Sequence, residues 1–424
     1  MKHLRLFFIS LLPFTFLLLP SFAALRTASD SRLAVFDDVW ETVRERYYDP
    51  TFHGLDWETE RARFRPLAES AQTTQELYNV IRSMLSDLKD AHTRVFAPDE
   101  RFDWQHPRFI SVGIAVREVG GLPVVVSVEQ GSDAEREGVR AGDVVTKIDG
   151  EDALDVFARR LKEQAGSSTP AAARLQAMAK LFEGKRDTAL NISWIDFDGK
   201  ERTATLKREW RERDTGVRVR RVGKVGIVEF DVFTQASAVD FIRALTNRLR
   251  GVRGLIIDLR NNGGGEADAM AEVASAFLPQ GVSLGHFTDR SHSIQFEPHT
   301  HSNMLYTADA VESVRAPLVI LTSGRTSSAA EIFVAAMREA RRAFTVGQTT
   351  CGCVLAIRRR HILPDGGELD VSEMDYFTAE GKRLEGEGIT PDLSITLDRQ
   401  DLRAHRDRAM ERAIERLERA SINR

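Results

Sequence analysis

The run Leu255-Ile256-Ile257-Asp258-Leu259-Arg260-Asn261-Asn262-Gly263-Gly264-Gly265 decides how the rest of this 424-residue chain is read. Its first half is short and mostly apolar, the composition of a strand covered on both faces. Its second half turns at three glycines, which let amide donors approach a bound oxygen with no side chain in the way. The same alternation continues on either side. Val225 to Val232 reads as a strand, Ala236 to Arg250 as a helix, the segment from Glu266 as another helix, and Pro317 to Leu321 as a strand. Strands alternating with helices predict a parallel sheet covered by helices, whose ligands gather at the C-terminal strand ends where residues 260–265 lie. A plain strand-to-helix loop has the same appearance.

Strand Leu318-Val319-Ile320-Leu321 leads into Thr322-Ser323-Gly324-Arg325-Thr326-Ser327-Ser328-Ala329-Ala330-Glu331-Ile332-Phe333, where a helix begins near the serines. A hydroxyl in the first turn of a helix can face outward while the next amide points at developing negative charge, as acyl transfer requires. A serine that merely caps the helix reads the same way. Further on, Val354 to Leu363, Pro364-Asp365-Gly366-Gly367 and Glu368 to Phe377 read as a β-hairpin. Asp398 to Arg419 reads as a charged helix with a stripe of Leu402, Met410, Ile414 and Leu417 that packs on its own domain or on a second protomer.

Toward the front, residues 31–98 carry apolar residues at helical spacing, as in Leu33, Phe36, Trp40 and Val43, then Leu77, Ile81, Leu85 and Leu88. Thr73 with Glu76 reads as a capping box, and the helical region runs out at Asp90-Ala91-His92-Thr93. Residues 109–206 change character, with short β-rich runs such as Ile110 to Val116 and Val124 to Val128, glycine turns, and a helix near Ala153 to Glu163. The stretch Gly131-Ser132-Asp133-Ala134-Glu135-Arg136-Glu137-Gly138-Val139-Arg140-Ala141-Gly142-Asp143-Val144-Val145 resembles the signature of PDZ domains. That resemblance implies a domain that takes an extended peptide on a sheet edge, with the carboxylate captured near Ser111-Val112-Gly113-Ile114. The Ala-rich stretch Thr169 to Gly184 departs from the simplest form of that family.

Composition excludes several classes. Hydrophobic residues at 42% and charged residues at 29% are ordinary globular values. Lys and Arg number 59 against 63 Asp and Glu, a net charge of −4, so no basic field exists to hold a nucleic-acid backbone. Lys2 and Arg5, an apolar run over residues 6–20, and the small residues of Ser21-Phe22-Ala23 read as a secretory signal peptide. Pro13 and Pro20 interrupt that run of about 15 residues, short of the roughly 20 needed to span a bilayer. The expectation is an exported, periplasmic or extracytoplasmic protein with no membrane span after signal removal. The two cysteines, Cys351 and Cys353, cannot form a disulfide framework, and whether they are joined stays open. Alone they supply too few ligands for zinc, and no metal or other cofactor is expected.

Taken in order, the helical start, the PDZ-like insert, Asp258-Leu259-Arg260-Asn261-Asn262-Gly263-Gly264-Gly265, Ser328-Ala329-Ala330-Glu331-Ile332 and Gly386-Glu387-Gly388-Ile389-Thr390-Pro391-Asp392 resemble the C-terminal processing and tail-specific serine peptidases, family S41. The resemblance covers most of residues 30–398. It implies an α/β, multidomain architecture: a ClpP/crotonase-like, helix-covered sheet core, an inserted PDZ-like β domain and an N-terminal helical domain. The expected divisions are a signal peptide at 1–23, a helical domain at 24–105, a PDZ-like domain at 106–208, a peptidase core at 209–398 and a C-terminal helix at 399–424. The family motif places the nucleophile on Ser328. Many members activate it with a lysine, but that position is Cys353 here, which could substitute only as a thiolate. A tricorn-like branch uses a histidine from the helical region instead. By resemblance the base is then His92 and its acidic partner Glu385, with Glu387 as rival and Lys382 as a remote substitute for the missing amine. The Ala329 amide with that of Gly263 or Gly264 is the expected oxyanion hole. These features imply hydrolysis of protein or peptide substrates through an acyl-enzyme, the PDZ module docking or gating substrate ends. A peptide-binding or carrier protein that kept the scaffold and lost turnover is the alternative, and the oligomeric state is not legible.

Overall fold

The computed structural model describes residues 22–100, 108–212, 215–302 and 315–422; most of the expected signal peptide lies outside them. At the centre is a six-stranded sheet in the order Arg218–Val222, Val225–Glu229, Gly254–Asp258, Leu318–Thr322, Ala343–Gly347, Leu393–Ser394. The first pair is antiparallel and the others parallel. Gly254–Asp258 and Leu318–Thr322 are buried at every residue, which explains their continuous apolar runs. Successive side chains alternate between two cores. Leu255, Ile257 and Ile320 pack with helices Gln235–Arg243, Ala267–Ser275 and Ala329–Glu339 on one face. Ile256, Val319 and Leu321 meet Ala409, Met410, Ala413 and Leu417 on the other.

Two expected helices are divided. The one read over Ala236 to Arg250 is Gln235–Arg243 followed by a π-helical turn, Ala244–Arg248. The C-terminal one splits into Arg399–Arg403 and Arg408–Ile422. His405 takes a positive φ between them, and Asp407 starts the second helix by accepting the Met410 amide while bound to Arg260. Its stripe covers its own sheet. Leu402, on the first piece, is half-buried.

The inserted β domain is antiparallel, in the order Ile114–Val119, Leu122–Val128, Val144–Ile148, Ala189–Ile195, Glu201–Lys207. Trp194, Leu190, Val125 and Phe157 lie in its core. The strand expected over Ile110 to Val116 breaks at Gly113, where φ is +79°, into Arg108–Ser111 and Ile114–Val119. Arg108–Ser111 pairs instead with Glu209–Glu212, so the chain enters and leaves this domain along one two-stranded ribbon. The Ala-rich stretch forms helix Pro170–Ala179, capped by Thr169, and Arg174 on it pairs with Glu118 on the domain's edge strand.

The front of the chain packs three helices, Phe22–Arg46, Trp57–Ser70 and Thr74–Ser86. Thr73 caps the third by accepting the Glu76 amide, but Glu76 reaches back to Gln72 rather than closing the box on Thr73. Their core continues into Leu355, Leu363, Leu369 and Val371 of the hairpin Ala356–Ile362 and Glu368–Phe377. A strand just after His92, Arg94–Phe96, pairs antiparallel with Glu368–Phe377 in the register Arg94↔Asp370. Thr93 completes this join by accepting the Ser372 amide at 3.0 Å. Through it a segment from the start of the chain joins a second sheet, in which Glu368–Phe377 also pairs with His286–Thr288.

Candidate active site

Ser328 stands just before the Ala329–Glu339 helix with φ 56° and ψ −126°, a conformation that costs a non-glycine residue on the order of 1–3 kcal/mol and persists where surroundings enforce it. Those surroundings are visible. Gly264, φ +94°, lies so close that a Cβ on it would meet Ser328 Cβ at 2.6 Å and the Ala329 nitrogen at 3.0 Å. Fully buried Asn262 ties the two loops together: its carbonyl accepts the Ser327 amide at 3.1 Å and its side chain donates to the Phe230 carbonyl at 3.0 Å. Thr326 adds a bond from its hydroxyl to the Leu259 carbonyl at 2.7 Å.

The expected oxyanion donors need correction. The Gly263 amide donates to the Asp231 carbonyl at 3.0 Å, and the Gly264 amide to Asn262 Oδ1 at 2.9 Å. Both are spent in shaping the loop. Ala329 and Gly265 line the same cavity as Ser328, and neither amide has an acceptor among the described residues. Ala329 gains this from its place in the first helical turn, where amides lack intrahelical partners.

Behind Ser328 runs a strap, residues 350–355. The Ser328 amide donates to the Cys353 carbonyl at 2.8 Å. Glu331, fully buried, accepts from the amides of Ser328 (3.2 Å), Gly352 (2.8 Å) and Cys353 (3.0 Å) and from the Thr350 hydroxyl (2.5 Å). Burial pushes its carboxyl up to about 6 against the pull of those four donors. Glu331 lies within the Ser328-Ala329-Ala330-Glu331-Ile332 motif, with no role marked by the sequence. The Ser-x-x-Glu spacing of a capping box was the available signal. Cys351 and Cys353 are joined in a disulfide, which removes the thiolate considered as a base.

His92 shares a cavity with this turn. The cavity, about 610 Å³, is lined by both His92 and Ser328 and carries an apolar wall of Phe287, Phe296, Ile332, Val354 and Met374. Asp90 shapes the histidine loop by accepting the His92 amide at 2.8 Å and the Thr93 hydroxyl. The imidazole Nδ1 is buried with no hydrogen-bond partner among the described residues. Burial holds its pKa below the ordinary histidine value, Arg94 adding to the effect and Asp90 and Asp370 opposing it.

Glu385 is not hydrogen-bonded to that ring. Its Oε2 accepts the amides of Val354 at 2.6 Å and Leu355 at 3.2 Å, and it lines a cavity with Ser168. Burial raises its pKa to about 7, with Asp90 contributing repulsion. The carboxylates whose fields reach His92 are Asp90 and Asp370. Glu387 and Lys382 are exposed. In the β domain, Ser111 Oγ accepts the Gly113 amide at 2.9 Å, and a Cβ at Gly113 would strike Ser132; Val112 and Ile114 point into the core.

A strained serine at a helix start, on the C-terminal edge of a parallel sheet and sharing a cavity with a histidine, is a layout that suits a nucleophilic serine. Residues 221–395 match the model of peptidase family S41, and residues 29–86 match that of the tricorn protease C1 domain. The chain is similar to a probable CtpA-like serine protease of Staphylococcus aureus (strain COL), 25% identical over 321 residues, which cover 74% of this chain and 59% of that one. It thus spans less than two thirds of the length of these relatives. A chloroplastic C-terminal processing peptidase of Tetradesmus obliquus is 26% identical over 399 residues, covering 87% of this chain and 78% of that one. Among solved structures, the photosystem II D1 C-terminal processing protease matches with a TM-score of 0.56 at 25% identity, over 86% of this chain and 93% of that one. Mature CPAF complexed with lactacystin shares the fold, with a TM-score of 0.67 at 13% identity, over 93% and 98%.

Proposed function

We propose that this chain is an exported serine endopeptidase that cleaves protein or peptide substrates through an acyl-enzyme. The observation that carries the reading is the cavity that Ser328 and His92 line together. Ser328 Oγ attacks the scissile carbonyl. His92 takes its proton and returns it to the leaving amine. Burial keeps the imidazole neutral near pH 7, the form a base needs. The Ala329 amide, backed by the positive end of its helix, receives the oxyanion, with Gly265 as second donor. The His92 to Ser328 hydrogen bond forms when substrate fills the cavity, as catalytic contacts often tighten on binding.

The inserted β domain, residues 106–208, docks or gates substrate ends as a PDZ-like module, with residues 111–114 as its carboxylate loop. One two-stranded ribbon carries the chain into and out of this domain. An exported, periplasmic location after loss of residues 1–23 is supported by the signal-like start and by a disulfide, which persists in oxidising compartments.

A fluorophosphonate probe with adduct mapping tests the reading. Ser328 is the residue labelled, and Ser328→Ala abolishes labelling and lowers peptide turnover by roughly ten-thousand-fold or more. Labelling that survives this substitution, or saturable peptide binding with no turnover in the native protein, overturns the enzyme reading in favour of a carrier.

A further inference from the structure

The loop leading into helix Pro170–Ala179 reaches out of the β domain and into the candidate site. Ser168 Oγ accepts the Ala91 amide at 3.2 Å, one residue before His92. The same residue lines one cavity with Glu385, near enough for its hydroxyl to favour the charged form of that carboxylate. Since it accepts from Ala91, its own proton is available to that carboxylate. Glu385 in turn holds the Val354 and Leu355 amides of the strap. The next residue, Thr169, donates its hydroxyl to the Cys351 carbonyl at 3.0 Å and accepts the Ala172 amide at 3.1 Å. Ala172 packs on Cys351 and Cys353, with Ala91 against the same cluster. Two consecutive hydroxyls from one domain therefore grip both segments that carry the reacting groups, the histidine loop and the strap beneath Ser328.

We propose that Ser168 is a positioning residue of this site, joining Glu385 to the Ala91–His92 peptide so that the seating of the inserted domain sets where the imidazole stands. This deepens the peptidase reading and rests on it. It also gives Glu385 an indirect role: the carboxylate fixes the histidine loop through a hydroxyl rather than touching the ring. No sequence signal marks Ser168, because its partners lie far away in the chain on either side. The charged groups facing the ring from the packed elements are Asp90, Arg94 and Asp370, and none of them is bonded to Ser168.

The test compares Ser168→Ala and Ser168→Thr in the full chain by two readouts. One is the NMR titration of His92, and the other is kcat against KM with an unstructured protein substrate. With Ser168→Ala, kcat falls about tenfold or more at little change in KM, because the base is misplaced rather than the substrate released. The His92 titration moves up toward the ordinary histidine value as the ring loses its enclosed seat. Ser168→Thr, which keeps the hydroxyl, restores both. An unmoved titration and unchanged kcat in Ser168→Ala, or a threonine variant as damaged as alanine, overturns the proposal. If Ser168→Ala does not fold, Glu385→Gln carries the test: it must shift the same titration. A native protein that neither labels at Ser328 nor turns over, yet whose His92 titration moves in Ser168→Ala, leaves the tie standing and removes the peptidase reading alone.

Discussion

Glu331 is the residue on which the nucleophile turn depends most. One carboxylate, fully buried, gathers four donors, three of them amides of the turn and the strap. Glu331→Gln puts an NH2 group against donors and leaves at least one amide unsatisfied, at a cost of about 2–4 kcal/mol. Denaturant unfolding measures it. The cost also depends on pH in a defined direction. The folded pKa, about 6, lies above the ordinary 4.5, so the native state binds the proton more tightly than the unfolded chain. Stability linked to this group is full below pH 4.5 and is lost as pH rises through 6. The glutamine variant does not titrate, so the gap between it and the wild type narrows from pH 5 to pH 8. A gap that widens contradicts the assignment. At this scale the sequence spoke unevenly. Ser328 and His92, chosen from their flanking motifs, line one cavity. The occupied amides of Gly263 and Gly264 were not legible, because their acceptors, Asp231 and Asn262, are brought close only by the folded loop.

Among the elements, the strand Arg94–Phe96 matters more than its three residues suggest. It fastens the histidine loop to Glu368–Phe377, and Thr93 is the pin, donating to Asp90 and accepting the Ser372 amide. Thr93→Val keeps the shape and removes the hydroxyl, leaving the Ser372 amide and an Asp90 oxygen without their partner at about 1–3 kcal/mol. Stability falls by that amount, and kcat falls with it while KM holds, as steady-state kinetics on the purified variant will report. Equal stability and rate in the valine protein rule the pin out. The hairpin, the buried strands and the helix over Ala153 to Glu163 were readable from period and turn residues. The break at Gly113 and the split at His405 were not, since both arise from contacts with distant elements: Ser132 against Gly113, and Arg260 drawing in Asp407.

Over the whole molecule, the order of modules in the chain hides the arrangement in space. The helical front, the β domain and the sheet core each send one loop to the same place: 90–93, 166–169 and 350–355. Motif order let the sequence suggest that His92 and Ser328 converge. It gave no hint that the inserted domain would touch both the histidine loop and the strap, because a hydroxyl in a Gly-Ser-Ser-Thr loop has no pattern of its own. The central claim is that the imidazole of His92 serves the hydroxyl of Ser328. The rate at which a fluorophosphonate modifies Ser328, followed against pH in the native protein and in His92→Ala, tests it most directly. The account predicts a rate that declines on an acid limb lying below pH 6.5, the direction in which burial moves this histidine, and that disappears in the alanine variant. Modification of His92→Ala at the native rate, with the same pH dependence, would contradict it.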